Sequence, residues 1–147
     1  MIKVRGCAFP PHLLYDVKNH VWYERLENGA YRVGMDAVAV ALAGDILAFT
    51  PRRVGRPVEV GKACAVVESG KWVGPARIAF DGEVVEVNDA MIHRPSLANQ
   101  DCYGAGYMLI ARADGDAPVK GLVSGNQIAA AYEAWMAAAD FAGCETE

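Results

Sequence analysis

The sequence predicts a mainly β fold, a compact sandwich or barrel with one short mid-chain helix and one helix towards the C-terminus. Three observations carry this reading. Short apolar or alternating runs recur along the 147 residues, each cut off by a Gly, Pro or Asn turn. Helical spacing is confined to two stretches, one after Asp36 and one after residue 124. No linker divides the chain, and its length suits one domain, here a 1–16 N-terminal extension followed by a single domain over 17–147.

The elements follow in order. Residues 1–16 read as an irregular lead-in, because Pro10-Pro11 is incompatible with a helix. Val21 to Leu26 and Ala30 to Met35 form a hairpin around Asn28-Gly29, a pair that readily adopts positive φ. Asp36 caps a helix from Ala37 to Ala43, and Gly44 ends it. Strands follow at 45–50, 58–60, 64–67, 83–87 and 107–111, with a basic loop from Pro51 to Pro57 carrying Arg52, Arg53 and Arg56. Residues 93–104, rich in Pro, Asn and Gly, read as a loop, and Asp114 to Pro118 as a break. Over 124–142, Ile128, Tyr132, Trp135, Met136 and Ala139 fall on one helical stripe, which predicts core packing, with Ser124 or Asn126 as the cap.

Composition narrows the function. A net charge of −4 argues against general nucleic-acid binding, which depends on neutralising phosphates. With 22% charged and 53% hydrophobic residues the chain is expected to fold. No apolar run is long enough to span a bilayer, and Met1 to Cys7 has no signal-like apolar core, so membrane insertion is not expected and the cytoplasm is the expected location. Cys7, Cys64, Cys102 and Cys144 are widely spaced and expected to be free thiols in a reducing compartment. His12, His20 and His93 are equally scattered, and no metal-ligand spacing is present.

One lysine stands out. Lys71 lies ten residues after Gly61 and eleven before Gly82, at the centre of Glu68-Ser69-Gly70-Lys71-Trp72. This near-symmetry predicts two similar β-units meeting at a tight turn, with Gly70 supplying a permissive φ and Lys71 at the tip. A lysine at such a turn can be an attachment point or an ordinary solvated side chain.

Further motifs place that turn in context. His20-Val21-Trp22, Val33-Gly34-Met35-Asp36, Leu42 to Ile46, Thr50-Pro51, Glu68-Ser69-Gly70-Lys71, Gly82 to Asn88, Pro95, Asn99, Tyr103-Gly104 and Gly106-Tyr107 occur in an ordered series. Over roughly residues 17–135 the series resembles the glycine cleavage H-protein family of lipoyl domains. The resemblance implies a flattened β-sandwich, or barrel-sandwich hybrid, with two-fold pseudo-symmetry. It implies that Lys71 carries lipoate through an amide bond, and that Glu68 and Gly82 serve recognition by lipoylating enzymes. The chain would then be a carrier and not an enzyme, since the cofactor holds the chemistry and the protein places it. A biotin carrier would show Met-Lys-Met, which Gly70-Lys71-Trp72 does not.

Within that family, Gly70-Lys71-Trp72-Val73-Gly74-Pro75, the arginines of the 51–57 loop and the lead-in at Arg5 to Pro10 are similar instead to the lipoate-binding proteins of bacterial sulfur oxidation. That likeness implies sulfur as cargo on a dihydrolipoyl arm. The partners it implies are a lipoate ligase or other lipoylating enzymes, a heterodisulfide-reductase-like complex and dihydrolipoamide dehydrogenase. Aminomethyl transfer in glycine cleavage and a non-lipoylated interaction module are the alternatives. Trp72 either shields the cargo or packs onto the sheet. The basic loop either docks a partner or is only solvated. Cys7, Cys102 and Cys144 are candidate sulfur acceptors or idle thiols.

Overall fold

The computed structural model describes residues 1–115 and 121–144. Val21–Arg25 (β4) and Ala30–Met35 (β5) pair antiparallel from Val21–Met35 to Arg25–Tyr31. Asn28 and Gly29 turn the chain with φ of 59° and 73°, the left-handed values that an Asn-Gly pair tolerates. The Asp36 carboxylate then accepts the Ala39 amide at 2.8 Å and caps Ala37–Ala43 (α1). Gly44, at φ 76°, stops that helix.

Two antiparallel sheets, one of which contains this hairpin, build the sandwich. Ile46–Pro51 (β6), Ala63–Ser69 (β8) and Val73–Arg77 (β9) form a three-stranded sheet in the order β6-β8-β9. Leu14–Asp16 (β3), Pro57–Val58 (β7), Gly82–Val87 (β10) and Leu109–Ala113 (β11) join β4 and β5 in a six-stranded sheet, β3-β4-β5-β11-β10-β7. β8 alternates Val66 and Glu68 outward with Ala65, Val67 and Ser69 inward. Its inward side chains meet Val33, Phe49, Ile78, Val84 and Leu109 in one apolar core. The mainly β sandwich with a mid-chain and a C-terminal helix is therefore the observed architecture.

Several local expectations are corrected. Residues 1–16 are not irregular: Ile2–Val4 (β1) and Cys7–Phe9 (β2) make a hairpin through Arg5 and Gly6, and β3 extends the large sheet. Three-residue strands are too short to show alternation in a sequence. The 93–104 loop overlaps two five-residue helices, Asp89–His93 (α2) and Leu97–Asp101 (α3), separated by Pro95. Barely more than one turn each, they show no periodicity. The final helix is Ile128–Ala138 (α4), preceded by a 3-10 turn at Gly125–Gln127, and neither Ser124 nor Asn126 caps it. Ile128, Tyr132 and Met136 are buried as expected, whereas Ala139 is exposed. The break at 114–118 falls partly outside the described residues.

The cysteines differ most from expectation. Cys7 and Cys144 form a disulfide, with Cα atoms 4.9 Å apart. The fold lays the segment after α4 against the β1–β2 hairpin, where the Cys144 amide donates to the Arg5 carbonyl at 3.0 Å. Pairing across 137 positions depends on that contact and has no signature in the spacing. Cys64 and Cys102 remain free, and burial pushes each thiol up to about 12.

Candidate functional site

β8 and β9 are joined by Ser69-Gly70-Lys71-Trp72, closed by the Ser69 amide donating to the Trp72 carbonyl at 2.7 Å. Ser69, 5% exposed, adds its hydroxyl: Oγ donates to the Trp72 carbonyl and accepts from the Lys71 amide, each at 3.4 Å. The turn is thus fixed from beneath by a serine to which no role had been given. Gly70 does not supply a left-handed φ, contrary to expectation. A Cβ there would meet nothing within 4 Å, so the turn does not require glycine at that position.

Lys71 is exposed at the tip. The ion pairs among the described residues are Arg5–Glu133, His12–Glu24 and Arg32–Glu24, and Lys71 is in none of them. Its stem leans over the end of α1: a Cβ on Gly44 would lie 3.1 Å from Cε. Gly44 therefore both ends the helix and clears the lysine. Asn99, from α3, braces this point by donating to the Gly44 carbonyl at 2.8 Å and accepting from the Ile46 amide at 2.9 Å. The Pro-x-x-x-Asn pattern had singled out Asn99 without suggesting this task.

Trp72 is 43% exposed, and its indole lies so close over Gly74 that a Cβ there would fall 2.3 Å from the ring. Packing onto the sheet and bordering the site are therefore compatible. The other side of the ring walls a groove of about 290 Å³, completed by His20, Leu42, Ala43, Pro75 and Arg77. The remaining charged group on its lining is Lys18, and no carboxylate contributes. An exposed, unpaired amine, a cleared stem and an adjacent mostly apolar groove fit a lysine bearing a long, largely apolar acyl group.

The other sequence candidates separate into two groups. Glu68 is exposed on the outer face of β8, opposite Ala48 and Val73, and so lies beside the turn. Gly82 sits at the other end of the hairpin, about 20 Å away by the length of β8. There a Cβ would fall 2.0 Å from the Arg112 carbonyl oxygen, which explains its glycine by packing between strands. The loop of Arg52, Arg53 and Arg56 lies at this remote end, with the Arg52 Nε donating to the Pro57 carbonyl. Burial raises the Cys102 thiol to about 12, and Cys7 and Cys144 are bonded to each other. Among the described residues no helix is long and apolar enough to cross a membrane.

Comparison with known proteins agrees with this geometry. The family model described as Glycine cleavage H-protein matches residues 13–135. Glycine cleavage system H protein 5 of Aquifex aeolicus is 44% identical over 111 residues, covering 74% of this chain and 75% of that protein. Probable glycine cleavage system H protein 2 of Sulfurisphaera tokodaii is 35% identical over 128 residues, 86% of each chain. Among solved structures, a glycine cleavage system H protein from Mycobacterium marinum superposes with a TM-score of 0.73 at 30% identity. It covers 83% of this chain and 97% of its own. Proteins of that family carry lipoate covalently on a lysine, act as carriers rather than catalysts, and interact with lipoylating enzymes and dihydrolipoamide dehydrogenase.

Proposed function

We propose, from the premise that this chain belongs to the glycine cleavage H-protein family, that Lys71 is its lipoyl attachment site and that the arm carries sulfur in the cytoplasm. A lipoate ligase or another lipoylating enzyme loads Lys71, reading the turn with Glu68, Gly70 and Trp72 beside it. Gly82 contributes by keeping β10 close against β11, beyond the far end of the hairpin. A heterodisulfide-reductase-like complex oxidises the bound sulfur, and dihydrolipoamide dehydrogenase exchanges electrons with the arm. The dithiolane supplies thiol–disulfide chemistry. This chain supplies a fixed root, a cleared stem and a groove beside it.

The observation that supports sulfur is the groove's charge. Its ionisable lining is Lys18, His20 and Arg77, with no carboxylate. A sulfur-loaded arm ionises to a thiolate or persulfide anion, which neighbouring cations favour. An aminomethyl cargo is an ammonium and calls for an acidic partner. Aminomethyl transfer is the second reading, favoured by the similar proteins of A. aeolicus and S. tokodaii, which are named for glycine cleavage.

Growth with a lipoate ligase followed by intact-mass analysis tests the attachment; an unmodified Lys71 would overturn the carrier role and leave an interaction module. Incubation of the lipoylated protein, reduced, with a sulfane-sulfur donor, and separately in its oxidised disulfide form with glycine decarboxylase and glycine, tests the cargo. Sulfur adducts on the Lys71 peptide are the expected result, and aminomethyl adducts alone would sink the sulfur reading.

A further inference from the structure

We propose that His20 is the proton acceptor for the arm on Lys71, its Nε2 taking the proton of a dihydrolipoyl thiol lying in the groove. This rests on the lipoyl-carrier reading above and adds to it a residue with a chemical task.

The placement comes first. His20 and Trp72 line the same groove, and Trp72 is the residue after Lys71. The Lys71 stem already leans on Gly44 at the end of α1. Ala43 and Ala39 carry the groove floor back along that helix, four residues or about 6 Å. An acyl chain laid along this floor from Lys71 runs towards the imidazole.

The histidine is held in an unusual way. Its φ of 60° lies in the left-handed region, uncommon for any residue but glycine and concentrated at functional positions. The Asp36 amide donates to its carbonyl at 3.1 Å, and Trp135 meets the ring edge-on at 4.5 Å between centroids. Nδ1 is sealed from solvent without a hydrogen-bond partner. With Nδ1 enclosed, Nε2 is the ring nitrogen left to meet a group lying in the groove.

Burial holds the His20 pKa below its ordinary value, against the opposing pull of Asp16 and the Val17 carbonyl, so the ring is neutral and able to accept a proton at physiological pH. Among the described residues the charged groups around it are Asp16 and Lys18 from its own connection, Asp36 at the head of α1 and Arg77 from β9, and from α4 Trp135 packs on the ring. In the transfer the S–H bond breaks, an N–H bond forms at Nε2, and the sulfur keeps the electron pair. No oxidant is needed. The resulting thiolate, beside an imidazolium and Lys18, is the form that attacks sulfane sulfur or a disulfide.

The test uses lipoylated protein, verified by intact mass and then reduced; absence of the lipoyl mass would count against the carrier reading and not against this one. Iodoacetamide alkylation is followed on the Lys71 peptide across pH 5 to 10 in the native protein and in His20→Asn, chosen because asparagine tolerates left-handed φ. We expect the variant's alkylation near pH 7 to be about tenfold slower, with its pH profile displaced upward by about one unit. Superimposable profiles in two folded proteins would overturn the proposal. Should His20→Asn fail to fold, imidazole nitrogen shifts of the native protein decide it: they must change between the disulfide and dithiol states of the arm, and unchanged shifts refute the assignment.

Discussion

The core between the two larger sheets is filled by Val33, Phe49, Val67, Ile78 and Leu109. The core beneath α4 is filled by Phe9, Tyr15, Trp22 and Tyr132, with Phe9 stacked on Tyr132 at 4.0 Å between ring centroids. The second also encloses Asp36, wholly buried, which accepts a hydrogen bond from the Tyr132 hydroxyl, and it is tied to the C-terminal segment by Cys7–Cys144. The first depends on volume, which neither pH nor redox state alters. The second depends on a buried carboxylate and a cross-link, and responds to both. Lys71 is rooted in the first core through β8 and reaches the second by way of α1, on whose end its stem leans. The attachment turn should therefore tolerate conditions that loosen the terminal annex.

Four measurements sharpen or break this division. Lys71→Ala should abolish lipoylation completely by intact mass while shifting Tm by no more than about 2 °C, because an exposed side chain is removed. A large loss of Tm would mean that the turn is part of the structural core. Cys144→Ser, or reduction of the native protein, should lower stability by about 2–5 kcal/mol in denaturant titration and leave lipoylation unchanged. Loss of lipoylation there would join the two regions.

Asp36 tests the second core through pH. Burial raises its carboxyl to about 7, partly countered by the hydrogen bonds from Tyr132 and Ala39. The folded state therefore holds a proton that the unfolded state has released, and this contribution to stability is lost as pH rises from about 4 through 7. Asp36→Asn keeps the acceptor oxygen and removes the charge. Its stability relative to the native protein should rise over that window by a few kcal/mol, at most about 4. Comparing the two proteins cancels the opposite slope from His20, whose lowered pKa makes acid destabilising. A constant difference across pH would remove Asp36 from the account. The smallest effect on stability is expected of Gly70→Val, within about 0.5 kcal/mol in denaturant titration, since neither backbone angle nor space demands glycine there.

Much of the frame was legible because local chemistry dictates it. Asn28-Gly29 announces its hairpin, Asp36 its helix cap and Gly44 the helix end, and the ordered motifs from His20 to Tyr107 mark the family. What was not legible depends on separation or brevity. β1 to β3 and the helices α2 and α3 are too short to carry a period. Cys7 meets Cys144 only because the segment after α4 packs against β1 and β2. At the site, Lys71 and Glu68 are neighbours in sequence as in space, but Gly44, Asn99 and His20 arrive from three other elements. The role expected for Gly70 belongs instead to Ser69, whose buried hydroxyl stitches the turn, a detail that composition does not encode.

The Cys7–Cys144 bond also changes the chain's topology. It converts a linear polypeptide into a covalent ring with a sequence separation of 137. While the ring is closed, a pull applied at the two cysteines is borne by sulfur and not by the hydrogen bonds of the sheets. A degradation motor that threads single chains through a narrow pore must then draw two strands at once. Opening the bond restores a linear substrate, so the thiol state of the surroundings sets how readily the protein can be dismantled, independently of whether its arm is loaded.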